Sequence, residues 1–451
     1  VTRTPRHSGP AGPEEAEVLA DVLRSPGYLR ALVLSALIGI PVSLVAFWFL
    51  VVLHELEHLL WADVPDALGL GVPPWWWPFP LLAAAGLAVG LVAVRLPGAG
   101  GHVPASGLHT GGASAATLPG VLLAAAGLPL GAVLGPEAPL IALGGGLALA
   151  LRALVRAPDT PQSTVLLGAA GAAAAVSAIF GNPLVAAVLL IEVAGVGGTR
   201  LFAVMLPALL SSGVGAVVFT GLGRWTGLAT GDLSLELFAP FPRLDAADVC
   251  WAVVIGAALA AALRPVAAGA RRVASYVSSR TVARTVLCAL GAAACAALYA
   301  LATGRSPADV ASSGQGTLAA LAVDPHAWGV GALIAVLLLK GAAYTLCLGS
   351  LRGGPVFPAL FLGAAAGVLL APLPGLGVVP AMAAGMAAAA AATLRLPVSS
   401  VVLVVLLLGS AAMMPVVILA AVVSFVVTEL LKARPEGGGA LRAAGGQPVS
   451  T

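Results

Sequence analysis

Charge is what this sequence has least of. Only 9% of its 451 residues are Asp, Glu, Lys or Arg, where a soluble domain carries roughly 25%. Hydrophobic residues make up 60%, and the mean hydropathy is +1.04. Such a chain cannot cover a water-facing surface, so the composition excludes a soluble globular protein. It points to an all-α membrane protein with most of its mass in the bilayer. The net charge of +3 is too small for a nucleic-acid partner. Cysteine is scarce as well: Cys250, Cys288, Cys295 and Cys347 lie in apolar stretches without metal-ligand spacing, and read as packing residues. No cofactor is implied. No cleavable signal peptide is visible, because the first 27 residues are polar and mixed in charge.

Glycine and proline are plentiful, with 56 and 34 residues. Both are tolerated in membrane helices that pack on other helices, and both mark broken helices. The chain divides into a cytoplasmic segment 1–27 with a short amphipathic helix within 14–25, a first membrane part 28–223, a polar connection 224–248, a second membrane part 249–431 and a flexible tail 432–451. Cationic residues flank the membrane part at both ends, which places both termini in the cytoplasm. The PPWWWPFP run from Pro73 to Pro80 suits an interfacial loop with its tryptophans in the headgroup belt. Leu118–Leu134 is apolar and ends at the stretch that holds Glu137.

Two stretches share one spelling. In LGPEAPLIALGGG, Gly135, Pro136, Pro139, Leu143 and Gly144 match Gly354, Pro355, Pro358, Leu362 and Gly363 of RGGPVFPALFLGAAAG at one constant offset. A second pair follows in the same order. Gly171 to Pro183 and Gly385 to Pro397 have equal separations, each with a run of alanines before the proline. Two halves with the same order of broken helices mark an internally duplicated transporter, whose site sits near mid-membrane where interrupted helices meet.

A helix N-terminus offers unpaired N–H groups and the positive end of the dipole. Glycine lets a ligand come close to this backbone, and proline in the first turn removes no needed donor. Gly-Pro-Glu-Ala-Pro and Gly-Pro-Val-Phe-Pro therefore read as two half-helix starts that together form an anion site. Only the first carries an acid. The Glu137 carboxylate can occupy the site when no free anion does, and can withdraw when protonated, so it combines a gate with a proton carrier. An N-terminal Glu that merely stabilises its helix is the plainer reading, but an acid inside a bilayer favours function.

These motifs resemble the CLC family of chloride channels and proton-coupled anion exchangers. GPEAP resembles the family's G-[KR]-E-G-P. LLLKGAAYTLCLGSLRGGPVFPALFLGAAAG, 337–367, resembles its stretch ending in GGxFAPxLxxGA. AVSAIFGNPLVAAVLLIEV, 175–193, resembles its AAFNAPLAGxLFAIEE segment. The resemblance runs from about residue 28 to 431. It implies an inverted-topology repeat of broken half-helices, a homodimer with one pathway per subunit, and transport of a small inorganic anion, most readily chloride, with coupling to protons. Glu137 matches the gating glutamate. Backbone groups at Glu137, Ala138, Val356 and Phe357 match the anion-coordinating starts. The family's G-S-G-I-P falls on Gly100 to Pro104, with Ser106-Gly107 as a competing register that loses the match at Pro104. In the first register Gly101 replaces the anion-contacting serine and His102 stands beside it, either as an anion contact or as a pore-mouth or packed histidine. Glu192 is the candidate for a proton path or for a structural role. The second acid of the family's IEE is Val193 here, and no matching tyrosine follows Leu431. The departures leave open an uncoupled channel, or an exchanger for fluoride or nitrate. Lys340 and Arg352 precede the second half-helix, where either can add positive potential near the pathway, and snorkelling to the interface is the simpler expectation for both.

The rival class is enzymatic. His54-Glu55-Leu56-Glu57-His58 satisfies H-E-x-x-H, the pattern of a membrane zinc metallopeptidase. Its position at the end of the first apolar run, with no downstream acid in a recognisable third-ligand setting, favours a polar helix end instead. The reading is a transporter and not an enzyme.

Overall fold

The computed structural model describes residues 24–107, 114–152, 160–194, 199–228 and 235–432. The amphipathic helix expected within 14–25 and the tail expected over 432–451 thus lie almost wholly outside the described residues. Fifteen helices of eight or more residues form the described chain. In order they are α1 Pro26–His58, α2 Pro78–Arg95, α3 Leu118–Ala125, α4 Glu137–Ala150, α5 Pro161–Phe180, α6 Pro183–Ala194, α7 Thr199–Thr226, α8 Ala246–Ser278, α9 Thr281–Thr303, α10 Gln315–Val323, α11 Val330–Ser350, α12 Val356–Leu370, α13 Val378–Leu394, α14 Pro397–Leu408 and α15 Met414–Leu430. Among the described residues no strand forms, and an isolated antiparallel bridge joins Gly135 to Gly354. Eight helical segments are long and apolar enough to cross a membrane, while α4, α6, α12, α13 and α14 are shorter apolar pieces. The chain is a multi-pass membrane protein.

Why some pieces are short is written in their ends. Prolines open α5, α6 and α14, where a missing N–H costs nothing. The left-handed residue Gly181 ends α5, and Arg395 takes the same conformation at the matching end of α13. The apolar stretch Leu118–Leu134 is only partly helical: α3 stops at Ala125, and turns carry the chain from there to Pro136. Gly127 and Gly131, the latter with φ 99°, punctuate that run. The PPWWWPFP tryptophans also divide. Trp75 and Trp76 are exposed, whereas Trp77 is buried and donates its indole N–H to the Leu60 carbonyl.

The duplication is visible in the packing. In the first half α4 packs on α5, α5 on α7, and α1 on both α5 and α7. In the second half α12 packs on α13, α13 on α15, and α8 on both α13 and α15. Equivalent helices also meet across the halves, α2 with α9 and α6 with α14. The same glycines make the same contacts. A Cβ on Gly144 would strike the Gly171 carbonyl, and one on Gly171 the Gly144 carbonyl; Gly363 and Gly385 stand in the same reciprocal relation. Backbones this close draw helices together without large side chains, as membrane helices require. The alanine runs beside these glycines, Ala172–Ala175 and Ala387–Ala391, are fully buried in the core.

Candidate functional site

The two half-helix starts meet. The Gly135 N–H donates to the Gly354 carbonyl at 2.8 Å, and the Gly354 N–H returns a bond to the Gly135 carbonyl at 2.6 Å. This reciprocal pair aligns the entrances of α4 and α12. Each helix has a proline as N-cap, Pro136 or Pro355, with near-identical backbone angles. Proline has no side chain able to cap, so the first amides of both helices remain open. Pro139 and Pro358 in the third position have no N–H at all. Each start therefore presents two amides, those of Glu137 and Ala138 and those of Val356 and Phe357.

Glu137 fills this arrangement from within. Its side chain is 1% exposed. Oε1 accepts the Phe357 N–H at 3.2 Å across 220 residues of sequence. Oε2 has no hydrogen-bond partner among the described residues. A carboxylate drawn into a buried site by a helix N-terminus, with one oxygen unpartnered, is held by modest forces, so it can be exchanged for another anion. Phe357 is itself buried, its ring 6.1 Å from that of Phe180 at the end of α5. The helix starts that carry Glu137, Ala138, Val356 and Phe357 thus lie side by side.

The remaining candidates are distributed differently. Gly101 has φ 100° and ψ −171°, a conformation that side-chain-bearing residues avoid. Its N–H is used within the loop, donating to the Gly98 carbonyl. His102 beside it is exposed. That loop is tied to the second half-helix through Arg352, which donates to the Ala99 carbonyl at 3.2 Å and to the Leu351 carbonyl. Glu192 lies at the contact between α6 and α14. It accepts the N–H groups of Val398 and Ser399 at 3.0 and 2.7 Å and the Ser399 hydroxyl at 2.6 Å. It caps a helix of the other half, which no local spacing reveals.

Snorkelling fails for both cations. Lys340 is 0% exposed and donates to the carbonyls of Asp309, Val310, Ala311 and Ser312. Arg352 is 9% exposed. Both face inward because the ends of broken segments leave carbonyls that need donors. A buried tyrosine, Tyr344, stands before the second half-helix and not after Leu431. It is fully buried in α11 and its hydroxyl donates to the Pro355 carbonyl at 2.7 Å, fixing the N-cap of α12. The signal available was a tyrosine eleven residues before Pro355. The zinc motif is not assembled. His58 pairs with Asp63 at 3.1 Å, and among the described residues no group of three His, Cys, Asp or Glu side chains could hold a metal.

The family described as "Voltage gated chloride channel" matches residues 112–429. The chain belongs to this family, the CLC proteins. Among curated CLC relatives, "Putative ion-transport protein YfeO" of Salmonella newport (strain SL254) is 27% identical over 351 residues, covering 74% of this chain and 78% of the relative. The protein of the same name from Escherichia coli (strain SMS-3-5 / SECEC) is 32% identical over 154 residues, 34% of this chain and 36% of the relative. Among solved structures, a slow cyanobacterial Cl-/H+ antiporter superposes with a TM-score of 0.75 at 17% identity, covering 90% of this chain and 96% of that one. A CLC-type fluoride/proton antiporter gives 0.65 at 20% identity, covering 89% and 96%. These likenesses establish the CLC fold, and membership establishes a protein of an anion-transporting family.

Proposed function

We propose that this protein carries a small inorganic anion, most readily chloride, through a pathway that Glu137 gates, with protons as the coupled or gating species. The hydrogen bond from the Phe357 amide to the Glu137 carboxylate carries this reading, because it sets the carboxylate where paired half-helix starts offer a place for an anion. The neutral form of Glu137 loses its claim on those amides and leaves, and an incoming anion takes its place. Glu192 acts in this reading as an interhelix cap. The amides of Glu137, Ala138, Val356 and Phe357, the last freed when the Glu137 carboxylate leaves, form the anion contacts, while Gly101 and His102 border the approach on the loop tied to Arg352. The protein works as a homodimer in the cell membrane, both termini on the cytoplasmic side and one pathway in each subunit.

The test is anion flux from proteoliposomes made with wild type and Glu137→Gln, with proton movement recorded in the same vesicles. Wild type moves chloride and its rate rises as pH falls. Glu137→Gln loses the pH dependence. A wild type that moves none of chloride, fluoride and nitrate refutes transport, and a substitution that changes neither rate nor pH dependence refutes the gate.

A further inference from the structure

The anion site leaves the His54–His58 motif without a role, yet the fold brings part of it to the site's door. A cavity of about 60 Å³ opens beside the start of α4. Leu134 and Pro136, from the run that leads into Glu137, form one wall, and Ser313 and Gln315, at the entrance of α10, form another. The polar part is completed by His54 and Glu57, three residues apart on one face of α1. Such a volume holds a few waters, since one water needs roughly 10–15 Å³ of this kind of space. Glu137, with its unpartnered Oε2, lies one residue beyond Pro136.

The surroundings of Glu57 are those of a carboxylate kept near its site. It faces the Ser312 side chain, and both His54 and Lys340 lie within electrostatic range. Lys340 is pinned by the carbonyls of residues 309–312, and the Ser312 N–H donates to the Gly131 carbonyl, so the wall opposite α1 is fixed to the run into α4. The titratable and charged groups facing Glu57 are therefore His54 from its own helix and Lys340 from α11. Asp309 is turned away, accepting bonds from Arg305 and Tyr299. His58 is engaged with Asp63. His54 is exposed and Glu57 half-buried, so the pair spans the distance from bulk solvent to the cavity.

We propose that Glu57, with His54 as its solvent-side partner, relays protons between bulk water and Glu137 through this cavity. The inference rests on Glu137 being the gate. In the outward sense, protonated Glu137 gives its proton to a cavity water while that water passes one to the Glu57 carboxylate. Glu57 then passes it to the neutral imidazole of His54, which releases it to solvent. At each step one bond to hydrogen breaks and one forms, and no other group is consumed. A purely structural Glu57 would serve as acceptor for Ser312 and as counter-charge to Lys340. Gln keeps the acceptor and cannot carry the proton.

The experiment uses the full chain in proteoliposomes under a chloride gradient, with chloride and proton movement recorded together for wild type, Glu57→Gln, Glu57→Asp and His54→Ala. Glu57→Gln is expected to slow proton movement roughly tenfold, a conservative value for a lost proton-transfer group, without a matching loss of chloride movement, and Glu57→Asp restores most of the proton rate. Chloride and protons slowed in equal proportion, both left unchanged, or a wild type that moves chloride without protons each overturn the relay. A wild type that moves no anion removes the Glu137 reading itself, which separates the two failures. If Glu57→Gln does not fold, His54→Ala decides the matter at an exposed position: protons slowed severalfold with chloride unchanged support the relay, and an unaltered ratio overturns it.

Discussion

Gly354→Ala tests the gate without touching the gating residue. Gly354 is not in the left-handed region, so an alanine there causes no backbone strain of its own. Its Cβ would, however, fall on Oε2 of Glu137 and crowd that residue's carboxyl carbon. The backbone has little freedom to yield, because the two bonds between Gly354 and Gly135 hold it in place. The movable partner is the end of the Glu137 side chain. It must swing away from the Phe357 amide, giving up a hydrogen bond to a charged acceptor worth about 1.5–3 kcal/mol. At about 1.4 kcal/mol per factor of ten, that shifts the occupied-to-vacated ratio of the carboxylate by a factor of about 10 to 100. The variant keeps the acid but behaves as if the gate were propped open. Anion flux from proteoliposomes is expected to rise toward that of Glu137→Gln, with a flattened dependence on pH. A monodisperse, correctly folded Gly354→Ala protein with wild-type rate and pH profile would refute the reasoning. So would one whose flux falls while its pH dependence survives.

Other substitutions probe the scaffold. Glu192→Ala removes the three bonds that cap α14 and is expected to lower stability by about 1–2 kcal/mol, the range for a lost N-cap. A lower thermal midpoint in detergent with an unchanged pH profile of flux checks it; a changed proton stoichiometry at unchanged stability would return Glu192 to the proton path. Gly363→Ala drives a Cβ into the Gly385 carbonyl, a backbone atom that cannot turn aside, and should cost about 1–3 kcal/mol through overpacking. The same midpoint measurement reads it, and an undisturbed midpoint would mean that α12 and α13 are free to separate.

Much of the fold was legible because its causes are local. Apolar runs, and the prolines Pro183 and Pro397 that open α6 and α14, act over a turn or less. The duplication could be read because the same punctuation recurs in the same order. The break after Ala125 was not legible, because an apolar stretch with two glycines looks alike in a helix and in a series of turns. The inward positions of Lys340 and Arg352 were missed for a related reason. Snorkelling assumes an unbroken helix with satisfied carbonyls, whereas broken segments leave carbonyls that recruit a buried cation.

The sequence alone determined that this chain lies in a membrane, that it is built twice, and that the acid at Glu137 begins one of two matching half-helices. These follow from composition and from backbone chemistry, which glycine and proline settle residue by residue. Tertiary structure decided which groups meet. Only folding puts the Glu137 carboxylate on the Phe357 amide, Glu192 on the amides of α14, Tyr344 on Pro355, and the His54–Glu57 face beside the start of α4. Three of these contacts cross from one helix to another, and the two made by acids also span the halves of the chain. An acid's spelling does not say which distant helix end will need its charge. Glu137 was recognisable as a carboxylate at a helix start; that it lies across its neighbour's amides, ready to be displaced, is a property of two helix ends held together by one pair of glycines.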